Sequence, residues 1–161
     1  MYFRLKVDNC IGVKTEFACK YSDLATYGAL AQGGTFVAEG KLLLEFKINI
    51  GFSLEGNTKP IILGTTENGI PTNGPILWEG DYLSAPFSGD IIFTPNLPLV
   101  VGERYFIGLD YGYLTSAEGY MAIGGNTNNP IPNGQAWRAL DSGWDQFNTD
   151  VDIAIRIVML E

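Results

Sequence analysis

The chain has 161 residues, a length that suits one domain, and we predict a single domain over residues 1–161. Asp and Glu outnumber Lys and Arg by 18 to 10, and the net charge of −8 disfavours partners with a phosphate backbone or an anionic lipid surface. The sequence has no His, which excludes Ser–His and Cys–His nucleophile pairs and every zinc site that uses His.

The first 30 residues are less regular than the rest and predict an N-terminal arm or an edge strand. Tyr2–Val7 alternates apolar and charged side chains, as an edge strand does, and the segment lacks the apolar core of a signal peptide. A short helical turn is predicted near residues 22–31. The sequence does not decide whether Cys10 and Cys19 form a disulfide.

Strand patterns with a period of two dominate the remaining sequence. The strongest are Leu42–Ile50, Tyr105–Tyr111 and Val151–Met159, in which every second residue is apolar. In the first of these the apolar face is predicted to hold Leu42, Leu44, Phe46, Ile48 and Ile50. Weaker strands are predicted at Gly34–Ala38, Ile61–Thr65, Ile76–Tyr82, Ile91–Thr94, Tyr120–Ile123 and Gln135–Leu140.

Runs of Gly, Pro and Asn separate these strands, and no window carries an apolar stripe of helical period over three turns. About eight to ten strands in one domain indicate an all-β, antiparallel β-sandwich of the jelly-roll type. No stretch approaches the length of apolar sequence that spans a membrane, so membrane insertion is not expected.

The order of motifs over residues 31–159 resembles that of a known family. This is the jelly-roll "choice-of-anchor" or carbohydrate-binding-like accessory domain of secreted bacterial proteins and phage structural proteins. The resemblance implies the jelly-roll fold and an accessory, non-enzymatic role. The positions that carry it are Gln32, Phe36, Gly40, Leu42–Ile50, Phe93, Leu99, Gly102, Tyr105, Ile107, Leu109, Gly134, Ala136, Gly143, Trp144, Asp152, Ile155, Arg156 and Ile157.

An acidic, aromatic segment, residues 141–150, precedes the last strand, and we interpret it chiefly as a hairpin connection that Trp144 anchors to the core. Calcium is an alternative, because it takes six to eight oxygen ligands from carboxylates, amides and carbonyls. Catalysis by paired carboxylates is a weaker alternative, since nothing in the sequence indicates a substrate cleft. The same four residues are the candidate calcium ligands and the candidate catalytic carboxylates: Asp141, Asp145, Asp150 and Asp152.

Aromatic residues near this hairpin suggest a sugar-binding surface, because sugars stack their C–H faces on rings and bond through their hydroxyls. The predicted glycan-binding residues are Trp137, Gln135, Asp145 and Asn148. Other rings that could join such a platform are Trp78, Trp144, Tyr111, Tyr113, Tyr120 and Phe147.

The sequence therefore predicts a non-enzymatic, surface-exposed structural or adhesion module, such as a phage decoration or tail protein on a virion surface. Its predicted partners are copies of itself, capsid or tail proteins, and host glycans. The alternative is an extracellular carbohydrate-binding module of a secreted bacterial protein. No cofactor is expected apart from the calcium alternative.

Overall fold

A computed structural model of the protein describes residues 14–18, 24–26, 29–84, 88–126, 131–146, 152–153 and 155–161. These residues form fourteen β-strands and no helix, which confirms the all-β prediction. The described part of the chain accordingly has no helix long and apolar enough to cross a membrane. The strands are β1 (Lys14–Ala18), β2 (Leu24–Thr26), β3 (Ala31–Val37), β4 (Leu42–Thr65), β5 (Pro71–Glu79), β6 (Leu83–Ser84), β7 (Gly89–Phe93), β8 (Leu97–Pro98), β9 (Arg104–Asp110), β10 (Gly119–Asn126), β11 (Gln135–Leu140), β12 (Gly143–Gln146), β13 (Asp152–Ile153) and β14 (Ile155–Leu160).

The long strand β4 belongs to two antiparallel sheets. Residues 42–56 of β4 pair with β7, β8, β10 and β14 in the first sheet, and β1 extends that sheet beyond β14. The C-terminal part of β4 lies in the second sheet, whose order is β5-β4-β9-β3-β11-β12. One continuous strand therefore fixes the position of the two sheets relative to each other.

The main core gathers apolar side chains from both sheets. The first sheet contributes Phe46 and Ile48 of β4 with Ile157 of β14, all fully buried. Phe36 of β3 and Ile107 of β9 enter the same core from the second sheet. The predicted apolar faces of Tyr105–Tyr111 and of the described end of Val151–Met159 are therefore confirmed.

Two local predictions are wrong. The register of β4 against β14 shifts between Val158 and Met159, so that Leu44 is an extra residue and Leu43 takes the buried position. Leu42 and Leu44 consequently do not share the buried face. The helical turn predicted near residues 22–31 is also wrong where the structure describes it, because Leu24–Thr26 is a strand paired with β10 and Ala31 begins β3. The Tyr2–Val7 strand and both cysteines lie outside the described residues.

Candidate functional site

The second sheet curls until its two end strands meet. Five steps of about 4.8 Å would place β5 and β12 about 24 Å apart in a flat sheet. Instead the indole Nε1 of Trp144, on β12, donates a hydrogen bond to Oδ1 of Asn73, on β5, at 3.0 Å. The face of the sheet that points away from the main core is therefore wrapped into a concave surface.

A pair of glycines makes room inside this curl. Gly33 on β3 lies opposite Gly108 on β9, and the Phe106 ring covers both. A Cβ atom added to Gly33 would lie 2.6 Å from Cζ of Phe106, and one added to Gly108 would lie 2.7 Å from it. Because any side chain would collide with the ring and with backbone, only glycine fits at these two positions.

The concave surface holds a second, smaller core. Ile61 and Leu63 of β4 and Phe106 of β9 are fully buried in it. Trp144 packs on the Phe106 ring with centroids 5.0 Å apart and planes at 62°. Partly buried side chains cover these three residues, namely Ile76, Leu114, Trp137 and Trp144. The predicted anchoring of Trp144 is thus observed in this second core.

Asp110 organises the loop that covers this core. Its buried carboxylate accepts backbone N–H bonds from residues 112–115 at 2.9–3.2 Å and a hydroxyl bond from Thr115 at 2.6 Å. These five hydrogen bonds compensate the free-energy cost of burying the charged carboxylate. The loop after β9 is thereby held in one conformation, which brings Tyr113 and Leu114 to the edge of the curl.

Tyr113, Trp144, Asn73 and Gln146 form what we call the mouth site, at the open edge of the curl. Tyr113 Oη donates to Asn73 Oδ1 at 3.1 Å, and the Tyr113 and Trp144 rings are 5.5 Å apart at 79°. Because two donors occupy Oδ1, the amide orientation of Asn73 is fixed. Its Nδ2 group has no partner among the described residues, and the Asn73 side chain is exposed.

Trp137 and Gln135, two predicted glycan-binding residues, lie on the same strand face as the mouth site. Trp137 pairs in register with Gln146, so both side chains are on the face that carries Trp144. The Trp137 ring packs against the second core, and its Nε1 is buried with no hydrogen-bond partner in the described part of the chain. Gln135, opposite Thr35, is half-buried.

Asp145 is separated from those two residues. It alternates with Trp144 and Gln146 along β12, so its side chain points to the opposite face. There Arg138 donates from Nε at 3.0 Å and from Nη2 at 2.9 Å to Asp145 Oδ2. This ion pair occupies Asp145 and joins β11 to β12.

The hairpin prediction is correct only in part: β11 pairs with β12 across a turn that contains the exposed Asp141, so Gly143–Gln146 is an arm of the hairpin and not part of its connection. Asp152 lies in β13, where its backbone pairs with Asn126. Asn148 and Asp150 lie outside the described residues. Among the described residues, no three Cys, Asp or Glu side chains could together hold a metal ion. Calcium therefore stays a prediction, which a fall in melting temperature on adding EDTA would support.

Sequence reasoning missed Asn73 and the role of Asp110. The Asp-Tyr-Gly sequence at 110–112 is a local signal, because Asp accepts bonds from the backbone of a following turn. Asn73 carries no such signal: its role arises from contacts with residues 40 and 71 positions away in the sequence.

No family model and no curated protein matches this chain. Solved structures share its fold, and two of them are structures of Cwp84. One is the clostridial cysteine protease Cwp84 after propeptide cleavage, with a TM-score of 0.63 and 12% identity over 90% of this chain. The other contains the cysteine protease and lectin-like domains of Cwp84, a surface layer associated protein of Clostridium difficile, and gives the same TM-score, identity and coverage. The chain spans 39% and 35% of the lengths of those structures.

Proposed function

We propose that this protein is a non-catalytic carbohydrate-binding module of the extracellular surface, and that neutral sugars bind at the mouth site. The observation that carries the proposal is the hydrogen bonding of the Asn73 amide. Tyr113 and Trp144 hold its oxygen, so its NH₂ group stands beside two aromatic rings with its donors free of partners in the described part of the chain.

The chemistry of the mouth site suits a sugar. Its two half-buried rings offer apolar surface for the C–H face of a pyranose. Asn73 and the exposed Gln146 offer amide groups that bond to hydroxyls as donor and acceptor. All four side chains are neutral, and the nearest acid on β12, Asp145, faces away and is paired with Arg138. A neutral glycan is therefore the ligand that this site favours.

The similarity in fold supports the same function. One matched structure is described as containing protease and lectin-like domains, and this chain spans about a third of it. A chain with no His lacks the Cys–His pair that a cysteine protease uses. We therefore propose that the lectin-like part is the counterpart of this chain, and that the protein acts outside the cell.

The sandwich arrangement belongs to this proposal as well, since the main core takes side chains from both sheets. The jelly-roll order of connections and the single-domain boundary at 1–161 stay predictions. The phage decoration or tail role, with capsid or tail partners, gains no support from the matched structures and also stays a prediction.

A glycan panel tests the proposal. We expect the wild-type protein to bind a class of neutral oligosaccharide. Asn73→Asp keeps an oxygen acceptor for Tyr113 and Trp144 but removes the NH₂ donor, so binding should fall at least tenfold while the melting temperature changes little. Asn96→Asp, the same charge change in the exposed loop between β7 and β8, should bind like wild type. Absence of glycan binding, or equal binding by Asn73→Asp, would overturn the proposal.

A further inference from the structure

A cleft of about 410 Å³ opens on the other side of β5, away from the mouth site. It lies where the end of β5 approaches the end of β7, so the gap between the two sheets reaches solvent there. Its lining comes from residues 78–81, Leu83 and residues 92–94, all within the described part of the chain.

The floor of the cleft is aromatic. Trp78 and Phe93 are partly buried there, with ring centroids 6.1 Å apart, and both rest on the fully buried Phe46. A register shift in β5 places Trp78 on this side of the strand, whereas Ile76 packs in the second core. Leu77 is the extra residue of this bulge. The bulge therefore aims the Trp78 ring at the cleft.

The charged groups that line the cleft are both acidic. They are Glu79 and Asp81, and no Lys or Arg is among its lining residues. Glu79 alternates with Trp78 along β5 and pairs in register with Ile61, so its side chain points towards the face of the second core. Lys59 contacts Glu79 at 3.3 Å and also lies 4.8 Å from the centre of the Tyr82 ring. The ion pair with Lys59 therefore holds Glu79 on that face, and the negative charge at the cleft comes from Asp81, which has no ion-pair partner in the described residues.

Exposed apolar side chains gather around the same cleft. Of the five large apolar side chains that are exposed in the described residues, three line the cleft or adjoin its lining: Leu77 at 41%, Tyr82 at 44% and Ile92 at 57%. Such a concentration on the surface of a domain indicates a binding surface. Leu83 and Ile92 give the cleft aliphatic walls.

We propose that this cleft binds a quaternary ammonium group, such as a choline substituent on a larger ligand. Aromatic faces attract a cation through the ring quadrupole, and a carboxylate at the rim adds charge attraction. The methyl groups of a trimethylammonium ion are apolar and can pack against the aliphatic walls. A lysine ammonium is compact and strongly hydrated, so it would have to lose bound water to enter the cleft. The site is independent of the mouth site and of glycan binding there.

Titration with choline, followed by calorimetry and by the NMR signal of the Trp78 indole, tests this proposal. Choline should shift the Trp78 signal, while its neutral isostere 3,3-dimethyl-1-butanol should bind at least tenfold more weakly. Asp81→Asn should weaken choline binding at least threefold, whereas Asp141→Asn, on the distant hairpin turn, should not change it. The proposal would be overturned if the isostere, or Nα-acetyl-lysine amide with its free side-chain ammonium, bound as tightly as choline. It would also be overturned if choline caused no shift of the Trp78 signal.

Discussion

Asn73 and Trp144 lie on the two end strands of a six-stranded sheet and are joined by a hydrogen bond of 3.0 Å. That bond closes the sheet into a curl, and the curl creates both the second core and the mouth site. The same Asn73 oxygen accepts the Tyr113 hydroxyl, so one side chain links β5, β12 and the loop after β9.

Replacing Asn73 by Ala should loosen this closure. Both donors would lose their acceptor, and we expect unfolding free energy to fall by about 1–2 kcal/mol, near the usual value for two partly exposed hydrogen bonds. Urea denaturation monitored by tryptophan fluorescence measures this loss. Asn73→Asp, which keeps an acceptor oxygen, is the control and should retain most of the stability; equal losses in both variants would contradict the role assigned to the oxygen.

Gly33→Ala should destabilise the curl by about 1–3 kcal/mol, the range for overpacking a tight interior. The added Cβ would lie 2.6 Å from the Phe106 ring and closer still to the Ile107 carbonyl oxygen. Gly64→Ala in β4 is the matched control, because a Cβ there meets nothing within 4 Å. Thermal unfolding of the two variants should differ clearly, and similar melting temperatures would show that the glycine pair is not needed.

Asp110→Asn should cost roughly 3 kcal/mol or more, because the amide has one acceptor oxygen and its NH₂ group would face backbone N–H donors. Thr115→Val removes one of the five donors and should cost less than half as much. Denaturation curves of both variants give the comparison. A loss below 1 kcal/mol for Asp110→Asn would mean that the loop does not depend on the carboxylate.

We expect Asp90 to contribute to the free energy of unfolding in a way that depends on pH. The Asn49 amide, at 2.9 Å, and then Lys47, at 3.1 Å, lower the pKa of Asp90 below its ordinary value of 3.8. Its folded-state pKa is depressed, so its contribution is present above pH 3.8 and is lost as the pH falls through the lower, folded value. The pair is half exposed, and contributions of this kind are about 0.2–1 kcal/mol.

Asp90→Asn should therefore melt below wild type at pH 6–7, with the gap closing as the pH falls below about 4. Asp141→Asn, an exposed turn residue without an ion pair in the described part of the chain, should show no such gap. A constant gap for Asp90→Asn down to low pH would contradict the assignment.

Much of the fold could be predicted from the sequence because strand formation depends on local alternation. The Gln135–Leu140 strand appears with its predicted bounds, and the main-core faces of β9 and β14 follow the predicted pattern. The bulges at Leu44 and Leu77 could not be predicted, since each depends on the register with a distant partner strand.

Less of the candidate site than of the fold could be predicted from the sequence. Alternation places Phe106 on the face of β9 opposite the main core, but its complete burial follows from the paired Gly33 and Gly108, 75 residues apart in the chain. The aromatic composition did indicate Tyr113 and Trp144 as rings that could join a platform. The sequence did not indicate Asn73, because its hydrogen bond to Trp144 forms only when the curled sheet brings β5 and β12 together.

The central claim is that glycans bind at the mouth site, and the three tryptophan indole N–H signals in an NMR titration test it most directly. With the tightest-binding neutral oligosaccharide of the panel, the Trp144 signal should shift most, because its N–H bonds to the Asn73 amide, the proposed sugar contact. Trp137, buried at its Nε1, and Trp78, beside the other cleft, should shift little. A static Trp144 signal at saturating sugar would contradict the claim.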